Sequence, residues 1–376
     1  MSAAPHLLHV FSTFAPAGPE LRTVRLIGAL GAGWRHSILA IDGRTDAAAH
    51  LAPGVDARVL ASLPRAGTPR TVLALRRLFR AERPDLVLSY NWGAFDAVIA
   101  ARTQGRTVLH HEDGFNADEA RAFKGRRVLA RRLLLSGVRR VIVPSGLLRE
   151  IAIERWGLAP GKVALVPNGI RLEEFEPRDG NPALRAELGI PAEAVVVGSV
   201  GHLRPVKNPL RCLEAAAMAV SASARPLHVL MLGEGPERAA VAALAARPPL
   251  LGRVHLVGHQ SDPRPFYRAM DVFALGSDSE QMPVALLEAM GCALPVVSTD
   301  VGDVLAMLPQ EQGALVVPGD PAASLAGLAA AIARLADDPA LRARLGAANR
   351  ARVAERYTFE RTLAAYRELY EDALAA

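Results

Sequence analysis

Ser277-Asp278-Ser279-Glu280-Gln281-Met282-Pro283-Val284-Ala285-Leu286-Leu287-Glu288-Ala289-Met290 is the stretch on which the fold turns. It follows the apolar run Val272–Leu275 and passes into a long run of good helix formers, so it reads as a strand, a polar loop and the opening of a helix. A helix that starts just past a strand presents free N–H groups and the positive end of its dipole, an arrangement suited to a diphosphate. Pro283 fits the first helical position, where its missing N–H would be unpaired in any case. Glu280 precedes the helix, and Glu288 lies one to two turns inside it among Ala285, Leu286, Leu287, Ala289 and Met290. A carboxylate in so apolar a stretch needs a partner. A ribose diol would supply two hydroxyl donors; the competing reading is a helix with one surface glutamate.

Outward from this segment the same strand–loop–helix unit recurs. Upstream in the second half, Ala194–Val200 is a β-branched run, followed by the polar loop Gly201–Asn208 and a helix over Pro209–Val220. Further strands read at His228–Leu232, Val254–Val257, Pro295–Ser298 and Ala314–Val317. The first half shows the pattern too, with strands at His6–Phe11, Ser37–Ile41, Asp85–Tyr90, Arg106–His110, Arg139–Pro144 and Val163–Ile170, and an amphipathic helix over Leu21–Leu30. Between the halves, Glu173–Gly180 is a cluster of Pro, Gly and charge that reads as the boundary. From Pro321 the chain is helical almost to its end, interrupted near Asp337-Asp338-Pro339, and Tyr357, Phe359, Tyr366 and Tyr370 are assigned to one last helix. Alternating βα units predict an α/β fold: two Rossmann-like, doubly wound domains facing a central cleft at the carboxyl ends of their sheets. The expected limits are 1–175 and 176–355, with a terminal helix over 356–376.

Length and composition agree with two domains of about 150–200 residues, since 376 residues are 51% hydrophobic and 22% charged. No apolar run reaches the roughly 18 residues of a membrane span, and the N-terminus lacks the charged and apolar regions of a signal peptide. Cys212 and Cys292 have no metal-ligand spacing, which predicts two buried thiols in a reducing cytoplasm. The net charge of +6 is uneven: residues 1–174 carry 25 Lys+Arg against 15 Asp+Glu, and the rest 19 against 23. The basic half is therefore the one expected to meet an anionic partner.

The quoted stretch resembles the E-x7-E signature of the retaining glycosyltransferases of family four, which have the GT-B fold. The resemblance extends to the continuation Gly291–Gly302, to Val166-Pro167-Asn168-Gly169-Ile170, to the Gly201–Asn208 loop, to the helix start at Asp320-Pro321 and to the aromatic C-terminal helix. In that family this last helix crosses back to the first domain. The resemblance implies transfer of a sugar from a nucleoside diphosphate to a hydroxyl acceptor, with retention, in surface-polysaccharide or lipid-linked glycan synthesis. It implies that Glu280 meets hydroxyls of the transferred sugar, that Glu288 meets the ribose, and that the backbone near Met282, Pro283 and Val284 meets sugar and diphosphate. Lys207 matches the family's diphosphate lysine; His202 stands at its usual arginine position, with Arg204 two residues on. Basic side chains on such a loop can neutralise a departing diphosphate, so neither a cofactor nor a metal is expected.

In the first domain, His110-His111-Glu112-Asp113-Gly114 ends a strand. Its histidines and carboxylates raise a metal reading, but no further ligand cluster and no Asp-x-Asp accompany them. By resemblance a histidine here touches the donor sugar; either His110 or His111 fits, and His111 is preferred to a purely structural His–Glu pair. Gly18, in the loop from Ala15, matches a glycine that the family keeps near the reacting centre. Arg121–Arg140 holds eight basic residues, and Arg127 and Arg131 share one helical face. That face reads either as solvated or as lying on an anionic membrane, which would make the protein cytoplasmic and peripheral. Two rivals remain, a nucleotide-sugar epimerase, which is an enzyme of another class, and a noncatalytic partner subunit. Nucleic-acid binding is disfavoured because the basic stretch lacks interleaved aromatics.

Overall fold

The computed structural model describes residues 4–63, 67–115, 119, 123–177, 179–318 and 321–375. They form two compact units. One runs to Pro167 and resumes at Thr362; the other is Asn168–Arg361.

The first unit contains seven strands: β1 (His6–Phe11), β2 (Arg35–Ala40), β3 (Ala57–Val59), β4 (Leu86–Tyr90), β5 (Val108–His111), β6 (Arg140–Val143) and β7 (Val163–Leu165). Their order is β3-β2-β1-β4-β5-β6-β7, every pairing parallel. β1 and β4 are buried at every position, as expected for strands covered by helices on both faces. One core joins Leu8, Val10, Val87 and Val141 to Ala97 and Leu148 of the covering helices and to Trp156 in the turn after one of them. The strand β3 has no counterpart in the sequence reading: it is three residues long, largely exposed and lacks alternation.

The second unit has β8 (Val195–Val200), β9 (Leu227–Leu232), β10 (Val254–Gly258), β11 (Val272–Leu275), β12 (Val296–Thr299) and β13 (Val316–Val317), in the order β10-β9-β8-β11-β12-β13, again all parallel. Both sheets have the doubly wound 3-2-1-4-5 arrangement. In each the winding reverses between two central strands, β1 and β4 in the first, β8 and β11 in the second. Ligands of open α/β sheets bind outside the carboxyl ends of the strands at that reversal.

Two boundaries differ from the sequence reading. The first unit ends at Pro167 and not at residue 175, because Ile170 and Phe175 are buried in the second unit's core with Tyr267 and Leu286. Glu173, Glu174, Glu176 and Pro177, on either side of buried Phe175, belong to that unit. At the other end the change comes at Thr362, inside the helix Phe359–Ala375. The four aromatics split accordingly. Tyr357 ends the preceding helix, and it and Phe359 clasp Ile170 through backbone bonds of 3.0 and 2.8 Å. Tyr366 and Tyr370 are buried in the first unit, Tyr370 at 6.2 Å from Trp34 and Tyr366 stacked 5.8 Å from His111.

Candidate functional site

In the second unit the loops that leave β8 and β11 are joined at the sheet's reversal. Gly201-His202-Leu203-Arg204-Pro205-Val206-Lys207-Asn208 leaves β8, and Gly276–Pro283 leaves β11. Asp278 N–H donates to the Val206 carbonyl at 2.9 Å. Asn208, in the left-handed conformation that asparagine tolerates, caps the helix Pro209–Ala222 and donates to Asp278 at 3.3 Å. Arg211, buried, holds Asp278 at 2.7 Å and the Gly276 carbonyl at 2.8 Å.

This frame brings Lys207 and Glu280 together. Lys207 Nζ donates to both carboxylate oxygens, at 2.7 and 2.6 Å, and Ser277 donates to Oε1 at 2.7 Å. The Glu280 side chain is 7% exposed and that of Lys207 29%, so the pair sits at the edge of solvent. An ammonium has three donors, and two are spent here. Gly302 supports the loop from behind: at φ +58, a Cβ there would lie 2.5 Å from the Glu280 carbonyl and 2.6 Å from that of Gln281. On the β9 side, Gly233 and Gly235 approach the Gly201 and Leu203 carbonyls so closely that a Cβ would fall at 1.9 and 2.4 Å. Ser277, Arg211, Gly233 and Gly235 were not read as site residues. The Gly233-Glu234-Gly235 triplet after a strand was the one available signal; the others are revealed only by the packing of loops distant in sequence.

The remaining positions separate. The helix is Val284–Gly291, with Pro283 extended at its N-cap, one residue before the expected place. No side chain caps that end. Met282 is anchored by Asn168, whose amide donates to the Met282 carbonyl at 3.0 Å. Glu288 is half-buried and has found a protein partner, the Tyr267 hydroxyl at 2.9 Å. Burial and the Glu288 charge together hold the Tyr267 phenol well above its ordinary range, so it stays a donor. His202 and Arg204 are both exposed while Leu203 between them is buried, so the two polar side chains share the open face. The His202 ring lies 3.3 Å from the Glu234 carbonyl, whereas Arg204 has no side-chain partner among the described residues.

In the first unit, His110 and His111 point to opposite faces of the sheet, as neighbours in a strand must. His110 is wired inward, to Ser89 Oγ at 2.8 Å and Glu112 at 3.2 Å. Glu112 also receives Arg131 at 3.1 Å. Burial opposes its ionisation, but His110 and Arg131 outweigh that and hold its carboxyl below the usual range. His111 stacks on Tyr90 at 4.3 Å and its Nδ1 donates to the Ser89 carbonyl at 3.2 Å, while its Nε2 is buried without a partner. Burial, and then the charge of Arg22, keep this ring neutral far below the normal histidine range. Glu20 Oε2 and Thr13 Oγ1, near the carboxyl end of β1, are likewise buried and unpartnered. Burial raises the Glu20 carboxyl to about 7. Beside it Arg22 grips Asp113 through two bonds, of 2.5 and 2.9 Å. Gly18 opens the helix Gly18–Leu30 in open space, so no protein atom requires a glycine there.

The basic stretch is corrected by the structure. Arg121 lies outside the described residues, as does Asp320. Arg131, 1% exposed, is clamped between Glu112 and Glu119 and lies over the rings of Trp92, Phe115 and Trp156. Arg127 pairs with Glu119 at 2.8 Å and covers Trp92. The Arg127–Arg131 face is therefore the inner one and is not available to a membrane. Among the described residues no group of three or more His, Cys, Asp or Glu is arranged to hold a metal, and no helix is long and apolar enough to cross a membrane.

Residues 17–169 match the glycosyl transferase 4-like domain, and residues 181–352 match the glycosyl transferases group 1. The first half of the chain thus matches one glycosyl transferase domain and the second half another. It is 33% identical over 279 residues to a D-inositol 3-phosphate glycosyltransferase of Kineococcus radiotolerans, covering 66% of this chain and 61% of that relative. The counterpart from Streptomyces bingchenggensis is 28% identical over 357 residues, 86% of this chain and 77% of its own. Anabaena HepE, solved with UDP and glucose, superposes with a TM-score of 0.82 at 18% identity, over 99% of this chain and 100% of that one. Sucrose-phosphate synthase from Thermosynechococcus elongatus gives 0.79 at 24% identity, over 99% of both. These likenesses establish the two-domain GT-B fold.

Proposed function

We propose that this chain is a retaining glycosyltransferase that moves a sugar from a nucleoside diphosphate to a hydroxyl acceptor. The observation that carries the reading is the Lys207–Glu280 pair at the reversal point of the second sheet, beside the uncapped start of the Val284–Gly291 helix. Glu280 accepts from hydroxyls of the transferred sugar, and Glu288, already served by Tyr267, accepts from the ribose. Backbone at Met282, Pro283 and Val284 and the helix dipole meet the diphosphate. As the glycosidic bond lengthens, negative charge grows on the leaving phosphate. The third donor of Lys207, with Arg204, stabilises it where it appears. These cations do the work a divalent metal would do, so the reaction requires neither metal nor cofactor.

In the first unit, His111 is the histidine we assign to the sugar substrate, because its Nε2 is unpartnered whereas both nitrogens of His110 are committed. Glu20 and Thr13 offer further unpaired polar atoms to a polyhydroxylated ligand, and Gly18 leaves room for one. The acceptor we favour is a glycan or lipid-linked saccharide of a surface polysaccharide, handled in the cytoplasm or at the inner face of a membrane. A thermal-shift screen against nucleoside diphosphates is the first experiment, since a ligand at 100 times its Kd stabilises by about 2.7 kcal/mol. Donor turnover with and without saccharide acceptors, before and after chelation, follows. Turnover that needs no acceptor would point to an epimerase, no nucleotide binding to a noncatalytic subunit, and loss on chelation would refute the metal-free mechanism.

A further inference from the structure

The first unit has a concave surface at the end of its sheet opposite His111. An open cavity of about 590 Å3 lies where the chain enters β5 and β6, lined by Arg106, Arg139, Arg140 and Lys162. That volume is within the roughly 300–1,000 Å3 of small-molecule sites. The cations are fixed chiefly by backbone carbonyls. Lys162 Nζ donates to the Ser136 and Val138 carbonyls at 2.7 and 2.6 Å, and Arg106 to those of Pro84 and Phe79 at 3.0 and 2.7 Å. Arg102, adjoining at Gly137, caps Leu133 and Leu134 at 3.0 and 2.9 Å. Carbonyl dipoles hold these groups in place but do not cancel a full charge.

The one carboxylate paired with the lining arginines, among the described residues, is Asp372, at 3.1 Å from Arg139 and 3.8 Å from Arg140 and itself 42% exposed. Arg139 keeps a buried Nε without a partner. Burial, and then the charges of Arg140, Arg102 and Arg139, depress the Lys162 ammonium below its normal range, as a local surplus of positive charge must.

We propose that this cavity is a binding site for a phosphate group, held by Arg139, Arg140, Arg106 and Lys162. Guanidinium forks match phosphate oxygens in pairs, and four cations against one exposed carboxylate call for more than one negative charge. Two sources carry such a phosphate, a soluble phosphorylated molecule and a lipid headgroup; the helix Gly125–Leu135, which ends beside the cavity, exposes Leu129 at 55% and Leu133 at 60%. The site does not depend on the donor reading.

The test uses Gly161→Asp and Arg140→Gln. A Cβ at Gly161 meets nothing within 4 Å, so the aspartate places a negative charge in the lining without disturbing a contact. By calorimetry at low ionic strength, inorganic phosphate should bind the parent and bind each variant at least tenfold more weakly, with melting temperatures unchanged. If phosphatidylglycerol vesicles also bind, phosphatidylcholine vesicles do not, and Leu133→Ser weakens the vesicle arm alone, the source is a lipid headgroup. If inorganic phosphate binds and vesicles do not, it is a soluble phosphorylated ligand. Phosphate affinity that is undetectable in the parent, or unchanged in Gly161→Asp, overturns the site.

Discussion

Gly302→Ala is the substitution that should separate the donor loop from the fold that carries it. Gly302 has φ +58, where an alanine costs about 1–2 kcal/mol. The new Cβ would stand 2.5 Å from the Glu280 carbonyl oxygen and 2.6 Å from that of Gln281, and 3.0 Å is the least that real contacts allow. The Glu280–Gln281 backbone must therefore retreat by about 0.5 Å or more, or Gly302 must move and break the 2.9 Å bond from Asp303 N–H to the Gln281 carbonyl. The first movement carries Glu280 away from Lys207 and Ser277, and the second takes away the bond that fixes the loop next to it. Misplacement by about 1 Å can cost a hundredfold in rate, so half that displacement predicts a loss of roughly tenfold or more in kcat/KM. Global stability should fall by only about 1–2 kcal/mol. Gly313→Ala is the control, because its Cβ would meet only Leu305 at 3.6 Å, an ordinary contact. The assay is steady-state turnover with the donor found by the nucleotide screen, alongside denaturant melts. Gly302→Ala with parental kcat/KM and an intact fold would show that the position of Glu280 does not matter to the reaction.

Three further outcomes follow from the same geometry. Glu288→Ala should weaken nucleotide binding by about 1.5–3 kcal/mol, measured by calorimetry, with the fold retained; unchanged affinity removes Glu288 from the site. Arg204→Ala and Lys207→Ala should each lower kcat by about a hundredfold, and His202→Ala far less; the reverse order would return His202 to the family's usual arginine role. The first unit should lose stability in acid. His36 is buried with a pKa lowered to about 4, and His9, bonded to it at 3.0 Å, is shifted the same way. Unfolding lets them take up protons below about 6.5, so the stability they confer is complete above that pH and declines as pH falls toward 4. For His36 alone the loss by pH 5 is about 2 kcal/mol, at 1.36 kcal/mol per unit. Denaturant melts at pH 7 and 5 should show it, and His36→Gln should reduce it; equal stability at both values would contradict the burial argument.

Much of the architecture could be read because most of the parallel strands, β3 excepted, are short apolar runs ended by a polar loop, a local signal. The departures are places where the decisive fact is not local. Ile170 and Phe175 look like the tail of one domain until the core they fill is known. Arg127 and Arg131 have the right spacing for a shared helical face, and spacing alone does not say whether that face looks out or in. What settles it is Glu112 and Glu119, acids 12 to 19 residues from Arg131 that reach its guanidinium only in the folded unit. Glycine is similar: Gly18 was singled out for its motif and touches nothing, whereas Gly233, Gly235 and Gly302 are demanded by carbonyls of loops far away in sequence.

The Lys207–Glu280 pair shows why charge in this site has to be interpreted as a unit. Glu280 is nearly enclosed, and an enclosed carboxylate without a counter-charge costs several kcal/mol, whereas a paired one costs little. In the proposed reaction Lys207 thus has two tasks, to neutralise Glu280 before any ligand arrives and to lend its remaining donor to a diphosphate afterwards. Removing it abolishes both, so a fall in rate in Lys207→Ala mixes lost phosphate stabilisation with a disturbed glutamate. Arg204 has no such prior obligation: its charge is exposed and uncommitted, and its removal reports on the diphosphate alone. A double-mutant cycle between Lys207→Ala and Glu280→Gln separates the two tasks, because once the glutamate is neutral only the phosphate contribution of the lysine is left to lose.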